Sequence, residues 1–211
     1  QDVIFDPNDT WGDKKMDKRA QFMTALPNQT KNTWDEKGNM TSTFTCGYGY
    51  IKWRNVNRDN SLPEQGDAYS SIDFPLFRSA EAYLIAAEAI LRGANGTMDE
   101  ALGYVNEIRE RAYMSGKYAK DGVRSDVSGD RQMSDLNLDF ILAERQRELA
   151  TELVRRTDLV RFGKFTSGRN WDWKNGVREG ADVEDYLKVF PIPQTEFSNM
   201  PLLKQNDGYA N

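Results

Sequence analysis

The chain has 211 residues, enough for one substantial core, and its 28 basic and 33 acidic residues give a net charge of −5. Because no long basic run accompanies the aromatic residues, this composition argues against a nucleic-acid partner. The sequence has no histidine and one cysteine, Cys46, which excludes an intrachain disulfide, a thiolate zinc site and a Cys–His catalytic pair.

Residues 1–72 show little helical periodicity and are predicted to be rich in loops. The best strand candidate runs from Phe44 to Val56, where aromatic residues and Cys46 alternate with small residues. Long ordered loops are often functional, or they pack against another part of the protein. This segment also carries several aromatic residues among Asn, Thr, Gly and Asp, namely Trp11, Trp34, Tyr48, Tyr50 and Trp53.

The pattern becomes helical at residues 76–91, and a second helix is predicted after the turn residues Gly93, Asn95 and Gly96. Thr97 and Glu100 have the spacing of a capping box at the start of this second helix. One face of the first helix is predicted to hold Phe77, Ala80, Leu84, Ala87 and Leu91, and the second is predicted to bury Ala101, Val105 and Ile108. Two helices with a short glycine turn resemble one tetratricopeptide-like pair, which needs neighbours to bury both of its faces.

The stretch from Asn137 to Phe165 is predicted to be the central helical element. At helical spacing its apolar stripe contains Leu138, Leu142, Leu149 and Leu153, and also Arg145, Glu152 and Arg156. Charges on a core face are costly unless they are paired, so we expect a partly buried ion network. The spacing offers three pairs: Glu152 with Arg156, Glu152 with Arg155, and Arg145 with Glu148.

The acidic residues do not predict catalysis or a metal site. Glu144, Glu148 and Glu152 follow one another on a single predicted helix, whereas a glycosidase needs two carboxylates facing each other across a cleft. Their arginine neighbours lower the pKa of a carboxylate, the wrong direction for a general acid. In the polar loop over residues 115–135, the aspartate spacing does not fit an EF-hand, so a solvated loop is favoured over calcium. We predict no enzyme, no catalytic residue, no metal and no cofactor.

The aromatic residues of the N-terminal loops are the better functional candidates. A sugar ring presents an apolar C–H face that a flat indole or phenol ring can stack against, while nearby polar side chains bind the hydroxyls. Rings on irregular polar segments have no helical face to bury them. The predicted ligand-binding residues are therefore Trp34, Tyr48, Tyr50 and Trp11.

Several motifs in order resemble the SusD/RagB family of surface nutrient-binding lipoproteins of Bacteroidetes. They are Asp73-Phe74-Pro75-Leu76-Phe77-Arg78, Glu144-Arg145-x-Arg147-Glu148-Leu149, Arg155-Arg156-x-Asp158-Leu159-x-Arg161-x-Gly163 and Pro191-Ile192-Pro193-Gln194-Thr195-Glu196. The resemblance implies a mainly α, helical fold with a tetratricopeptide-like helix pair, further helices, long irregular loops and little β. It implies one C-terminal family domain over residues 1–211, with a loop-rich segment at 1–72 and a helical core and extended tail at 73–211. Trp53 and Trp173 match aromatic positions of the family, where packing is favoured over ligand contact.

The same resemblance implies the function. We expect non-catalytic oligosaccharide binding at the outer membrane, with the ligand handed to a SusC-like TonB-dependent transporter. The alternative is a helical-repeat interaction module that binds a peptide or the transporter itself. No apolar run approaches the ~18 residues of a membrane span. The resemblance further implies that the family's N-terminal half and its lipid-attached cysteine lie outside this chain, which we expect to be an excised domain or a processed piece.

Overall fold

The computed structural model describes residues 17, 19, 22–23, 49–50, 52–53, 55, 57, 59, 61, 70, 72–113, 133–168, 171 and 174–209. The chain divides into two compact units, Gln1–Glu148 and Leu149–Asn211. Three of the predicted ligand-binding residues, Trp11, Trp34 and Tyr48, lie outside the described residues, as does Trp173.

The first unit is built on three helices: α1 (Ser79–Leu91), α2 (Met98–Tyr113) and α3 (Leu138–Glu148). Helix α1 packs against both α2 and α3, and a short 3-10 turn at Met133–Asp135 contacts α2. Two very short strands, β1 (Phe22–Met23) and β2 (Gly49–Tyr50), pair in antiparallel fashion with Phe22 opposite Tyr50. The predicted helical fold with little β structure is confirmed for this part of the chain.

The helix pair α1–α2 forms as its periodicity predicts. Ala101, Val105 and Ile108 of α2 are all buried, and so are Ala80, Leu84 and Ala87 of α1. The capping box is also present, because the Thr97 N–H donates to Glu100 Oε2 at 2.7 Å and the Glu100 N–H donates to Thr97 Oγ1 at 3.2 Å.

The predicted start of α1 is wrong, because the helix begins at Ser79 and Phe77 lies before it with 89% of its surface exposed. The Asp-Phe-Pro-Leu-Phe segment that precedes α1 is irregular. Proline disfavours the helical conformation for the residue before it, which is Phe74 here. Because Phe77 lies before the first helical residue, its side chain is not aligned with the buried face of α1 and stays exposed.

The central stretch does not form the continuous helix that the apolar stripe predicted. Helix α3 ends at Glu148, and Thr151 and Leu153 adopt left-handed conformations with φ of 63° and 62°. Leu153 is consequently 83% exposed instead of core-facing, whereas Leu142 and Leu149 are buried as predicted. Glu152 is buried but lies outside any helix.

The second unit holds α4 (Arg155–Arg161), α5 (Gln194–Asn199) and two 3-10 turns at Lys174–Gly176 and Asp185–Lys188. The Pro-Ile-Pro segment before α5 is extended, as its prolines require. The tail is bound to this segment by side-chain hydrogen bonds. Gln205 accepts from the Ile192 N–H at 2.8 Å and donates to the Ile192 carbonyl at 2.9 Å, and the Tyr209 hydroxyl donates to the Val189 carbonyl at 2.7 Å.

Candidate functional site

Two buried glutamates, Glu144 and Glu148, lie one turn apart near the end of α3. Burying a carboxylate is costly unless ion pairs and hydrogen bonds compensate for the lost hydration. For Glu144 this compensation comes from three guanidinium groups. Arg19 donates to Oε1 at 2.7 Å, while Arg109 and Arg147 donate to Oε2 at 2.8 Å and 2.6 Å.

Glu148 is bound in a similar way. Its carboxylate accepts hydrogen bonds from Arg78 and Arg111, and from Arg19 at 3.2 Å. Its main-chain carbonyl, at the C-terminus of α3, accepts from Arg78 and from Lys52 Nζ at 3.2 Å. Cations are favourable at this end of a helix because the last carbonyls lack partners within the helix and carry partial negative charge.

The charges of this network keep both glutamates ionised. Burial alone raises the pKa of Glu144, but Arg19, Arg147 and Arg109 outweigh it and lower the pKa to about 2. The pKa of Glu148 is also lowered, because Arg111 and Arg78 overcome the opposing effect of burial. A general acid needs the opposite shift, so this cluster is a structural ion network.

The network also anchors the N-terminal segment on the helices. Arg19 lies just before β1 and Lys52 just after β2, and both side chains bind the last turn of α3. The antiparallel pair β1–β2, which contains Tyr50, is therefore attached to α3 by a residue next to each strand. Tyr50 is the one predicted ligand-binding residue whose backbone the structure describes, and it lies in this pair of strands.

Among the described side chains, Trp53 is the aromatic residue that follows Tyr50 along this segment. Its ring stacks on Phe74 with centroids 6.0 Å apart and planes at 28°, and Lys52 Nζ lies 5.5 Å from the indole centroid. Trp53 is half-buried. This geometry agrees with the packing role that the sequence predicted for Trp53.

A cleft between α1 and α2 is too small to hold an oligosaccharide. It has a volume of about 50 Å³ and is lined by Ser79, Ala80, Tyr83, Glu107, Ile108 and Arg111. Small-molecule sites usually enclose roughly 300–1,000 Å³. Binding of a sugar chain is therefore better assigned to exposed rings on the surface than to this cleft.

The sequence predicted a partly buried ion network on the central stretch, and the structure adds partners from other parts of the chain. Arg145 pairs with Glu81 of α1 at 3.1 Å, and Arg156 donates to the carbonyls of Leu187 and Lys188 at 2.8 Å and 3.1 Å. The centre of the network is Glu144 and Glu148, and the partners missed from the sequence are Arg19, Arg78, Arg109 and Arg111. A sequence signal existed only for Arg109, which falls on the buried face of α2.

Within the ranges that the structure describes, no three or more acidic or cysteine side chains come together in a way that could hold a metal ion. In the same ranges, no helix has both the length and the apolar composition needed to cross a bilayer.

The fold and the buried arginine–glutamate network define a helical protein without a recognisable catalytic centre in its described part. The SusD family profile matches residues 1–209, and the chain belongs to this family. This membership confirms the predicted family, and it agrees with the prediction that the chain is not an enzyme.

Two relatives and one solved structure illustrate the similarity. The chain is 37% identical over 169 residues to the starch-binding protein SusD of Bacteroides thetaiotaomicron, with 80% of this chain and 27% of the relative aligned. It is 32% identical over 176 residues to a SusD-like protein of Formosa agariphila, covering 80% of this chain and 29% of that protein. The structure of surface glycan-binding protein A from Bacteroides thetaiotaomicron superposes with a TM-score of 0.56 and 26% identity, covering 82% of this chain and 33% of the other. The chain thus spans between a quarter and a third of the length of these proteins.

Proposed function

We propose that this chain is part of a non-catalytic protein that binds oligosaccharides at the cell surface. The observation that carries the proposal is membership of the SusD family over residues 1–209, together with 37% identity to a starch-binding relative. The whole protein would be a surface lipoprotein of the outer membrane that delivers its ligand to a SusC-like TonB-dependent transporter. In this proposal residues 1–211 form one C-terminal family domain, and the N-terminal half completes the protein.

The ligand-binding residues in this proposal are Trp34, Tyr48, Tyr50 and Trp11. Support comes from their residue type, since a flat aromatic ring can stack on the C–H face of a sugar ring. Each stacked ring contributes on the order of 1 kcal/mol, so several rings and hydrogen bonds are needed to hold one sugar chain.

A protein-interaction module is the second candidate function. The observation in its favour is the apolar surface around the start of α1, where Leu76, Phe77 and Ile85 are all exposed. Contiguous apolar patches of more than a few hundred Å² usually mark a binding surface for another protein segment. The ligand would then be a peptide, the transporter or the N-terminal half of the same protein.

A glycan titration distinguishes the two functions. Tryptophan fluorescence would be recorded while a malto-oligosaccharide is added, because a starch-binding relative makes α-glucan the first ligand to test; other neutral oligosaccharides follow. We expect saturable quenching with at least one of them. The proposal is wrong if no oligosaccharide changes the fluorescence or the unfolding temperature of the chain.

A further inference from the structure

The second unit contains a loop whose ends are joined by hydrogen bonds. The Gly168 N–H donates to Asp182 Oδ1 at 2.7 Å, and Lys174 Nζ donates to the Gly168 carbonyl at 2.9 Å. Asn175 Nδ2 donates to the Asp182 carbonyl at 2.8 Å. Asn175 and Gly176 have φ of 57° and 70°, so the chain turns sharply within the loop. Compact loops with joined ends are frequently functional.

Trp171 lies on this loop with 42% of its surface exposed. The ring is held by two neighbours: Phe165, whose centroid is 6.0 Å away at an interplanar angle of 37°, and Lys174, whose ammonium lies 5.2 Å from the indole centroid. Lys174 itself is only 1% exposed. The indole is therefore supported from within the unit while a large part of it stays open to solvent.

The support beneath Trp171 is itself fixed. The guanidinium carbon of Arg156 lies 4.7 Å from the Phe165 centroid and 4.2 Å from the Phe190 centroid. Arg156 is bound in turn to the Leu187 carbonyl at 2.8 Å. Phe165 thus has little freedom to move, and the orientation of the indole is set before any ligand binds, which lowers the entropic cost of binding.

A single exposed apolar residue needs no explanation on a protein surface. The Trp171 ring differs because its position is fixed by Phe165 and by the buried Lys174, whose ammonium is compensated by the Gly168 carbonyl, while 42% of its surface stays exposed.

We propose that Trp171 is a further carbohydrate-contact residue, in addition to the predicted N-terminal aromatic residues. The indole stacks on the C–H face of one sugar ring, and Asn175 Oδ1 and Asp182 Oδ2, which the hydrogen bonds of the loop leave available, accept from its hydroxyls. The ligand is a neutral oligosaccharide, because the exposed carboxylates of Glu179, Asp182 and Glu184 outnumber the exposed cation Arg178 in this part of the described chain and disfavour an anionic ligand. This inference rests on the proposed carbohydrate-binding function.

The test combines NMR of the tryptophan indole N–H groups with two matched variants. The chain is titrated with maltoheptaose and with an oligogalacturonide, an acidic oligosaccharide, and Trp171→Phe identifies the Trp171 signal. Val177→Ala is the control, because Val177 lies on the same loop and is also 42% exposed. We expect a saturable shift of the Trp171 signal with maltoheptaose only. Measured by isothermal titration with maltoheptaose, Trp171→Ala should bind roughly tenfold more weakly, the change that about 1.4 kcal/mol of stacking gives, while Val177→Ala binds like the wild type.

The contradicting outcomes separate the two proposals. If neither these two nor any of the further neutral oligosaccharides shifts an indole signal, both the carbohydrate-binding function and the Trp171 site are wrong. If other indole signals shift while that of Trp171 does not, or if Trp171→Ala binds as tightly as Val177→Ala, only the Trp171 site is wrong. An equal response to the acidic oligosaccharide overturns the preference for neutral ligands.

Discussion

Replacing Glu144 with glutamine is expected to destabilise the protein by about 3 kcal/mol. The carboxylate has a pKa lowered from 4.5 to about 2, and each pKa unit corresponds to about 1.4 kcal/mol of preference for the charged form. Removing one partner from a buried ion pair independently gives roughly 3–5 kcal/mol. The two routes agree because both describe the attraction of Arg19, Arg109 and Arg147 for one buried charge.

The sign of the pH dependence follows from the lowered pKa. A carboxylate with a depressed folded-state pKa stabilises the protein fully above its ordinary pKa of about 4.5, and this stabilisation is lost as the pH falls toward about 2. Glu144→Gln has no such charge to lose. The variant should therefore be less stable than the wild type near neutral pH, and the difference should shrink between about pH 5 and pH 3.

Urea unfolding followed by circular dichroism measures both effects. The control is Glu179→Gln, which makes the same chemical change at an exposed position and should alter stability by less than about 0.5 kcal/mol. If Glu144→Gln lowers the free energy of unfolding by less than about 1 kcal/mol at neutral pH, the reasoning is refuted, because removing one charge from a buried network costs more than that. The same conclusion would follow if the wild type and the variant lost stability equally on acidification.

Three further outcomes are expected. Thr97→Ala should lower the free energy of unfolding by roughly 1 kcal/mol through loss of the α2 cap, and an unchanged urea midpoint would contradict this. Gly208→Ala should lower the unfolding temperature more than Gly93→Ala, because only the former places a Cβ against the Tyr186 ring; equal losses would show that the left-handed φ alone matters. The apolar surface before α1 should bind a hydrophobic dye, and Phe77→Ser should reduce the dye fluorescence; no dye binding by the wild type would show that this surface is covered.

The features predicted correctly from sequence are those that local spacing determines. The capping box at Thr97 and the buried faces of α1 and α2 depend on residues within one or two turns of each other. The break after α3 depends on left-handed conformations at Thr151 and Leu153, and neither residue type signals such a conformation. The predicted stripe therefore continued past Glu148, and it placed Leu153 in the core.

The members of the ion network could not be predicted because they are distant in sequence. Arg19 is 125 residues from Glu144, and Arg78 is 70 residues from Glu148. Spacing on one helix reveals only neighbours such as Arg147, so it gives no signal of the arginines that other parts of the chain contribute. Burial of the glutamates follows from the way α1, α2 and the segment around Arg19 meet α3, which is tertiary information.

For the candidate site, the sequence predicts a type of residue: exposed rings on polar segments. Trp34 stays a prediction because it lies outside the described residues. Trp171 meets the same criterion of a ring on a polar, glycine-rich loop. Only its support by Phe165 and the buried Lys174, which the structure supplies, distinguishes it from an incidental surface residue.

The most direct test of the account is the affinity of Trp34→Ala for an oligosaccharide that the wild-type chain binds. Isothermal titration gives the affinity, and the unfolding temperature is measured on the same samples. The account predicts binding weakened several-fold or more, with a nearly unchanged unfolding temperature, because the sequence predicts that the Trp34 ring lies on a polar loop, where it would add little to the core. Unweakened binding, or a lowered unfolding temperature without a specific loss of affinity, would contradict it and remove Trp34 from the binding site.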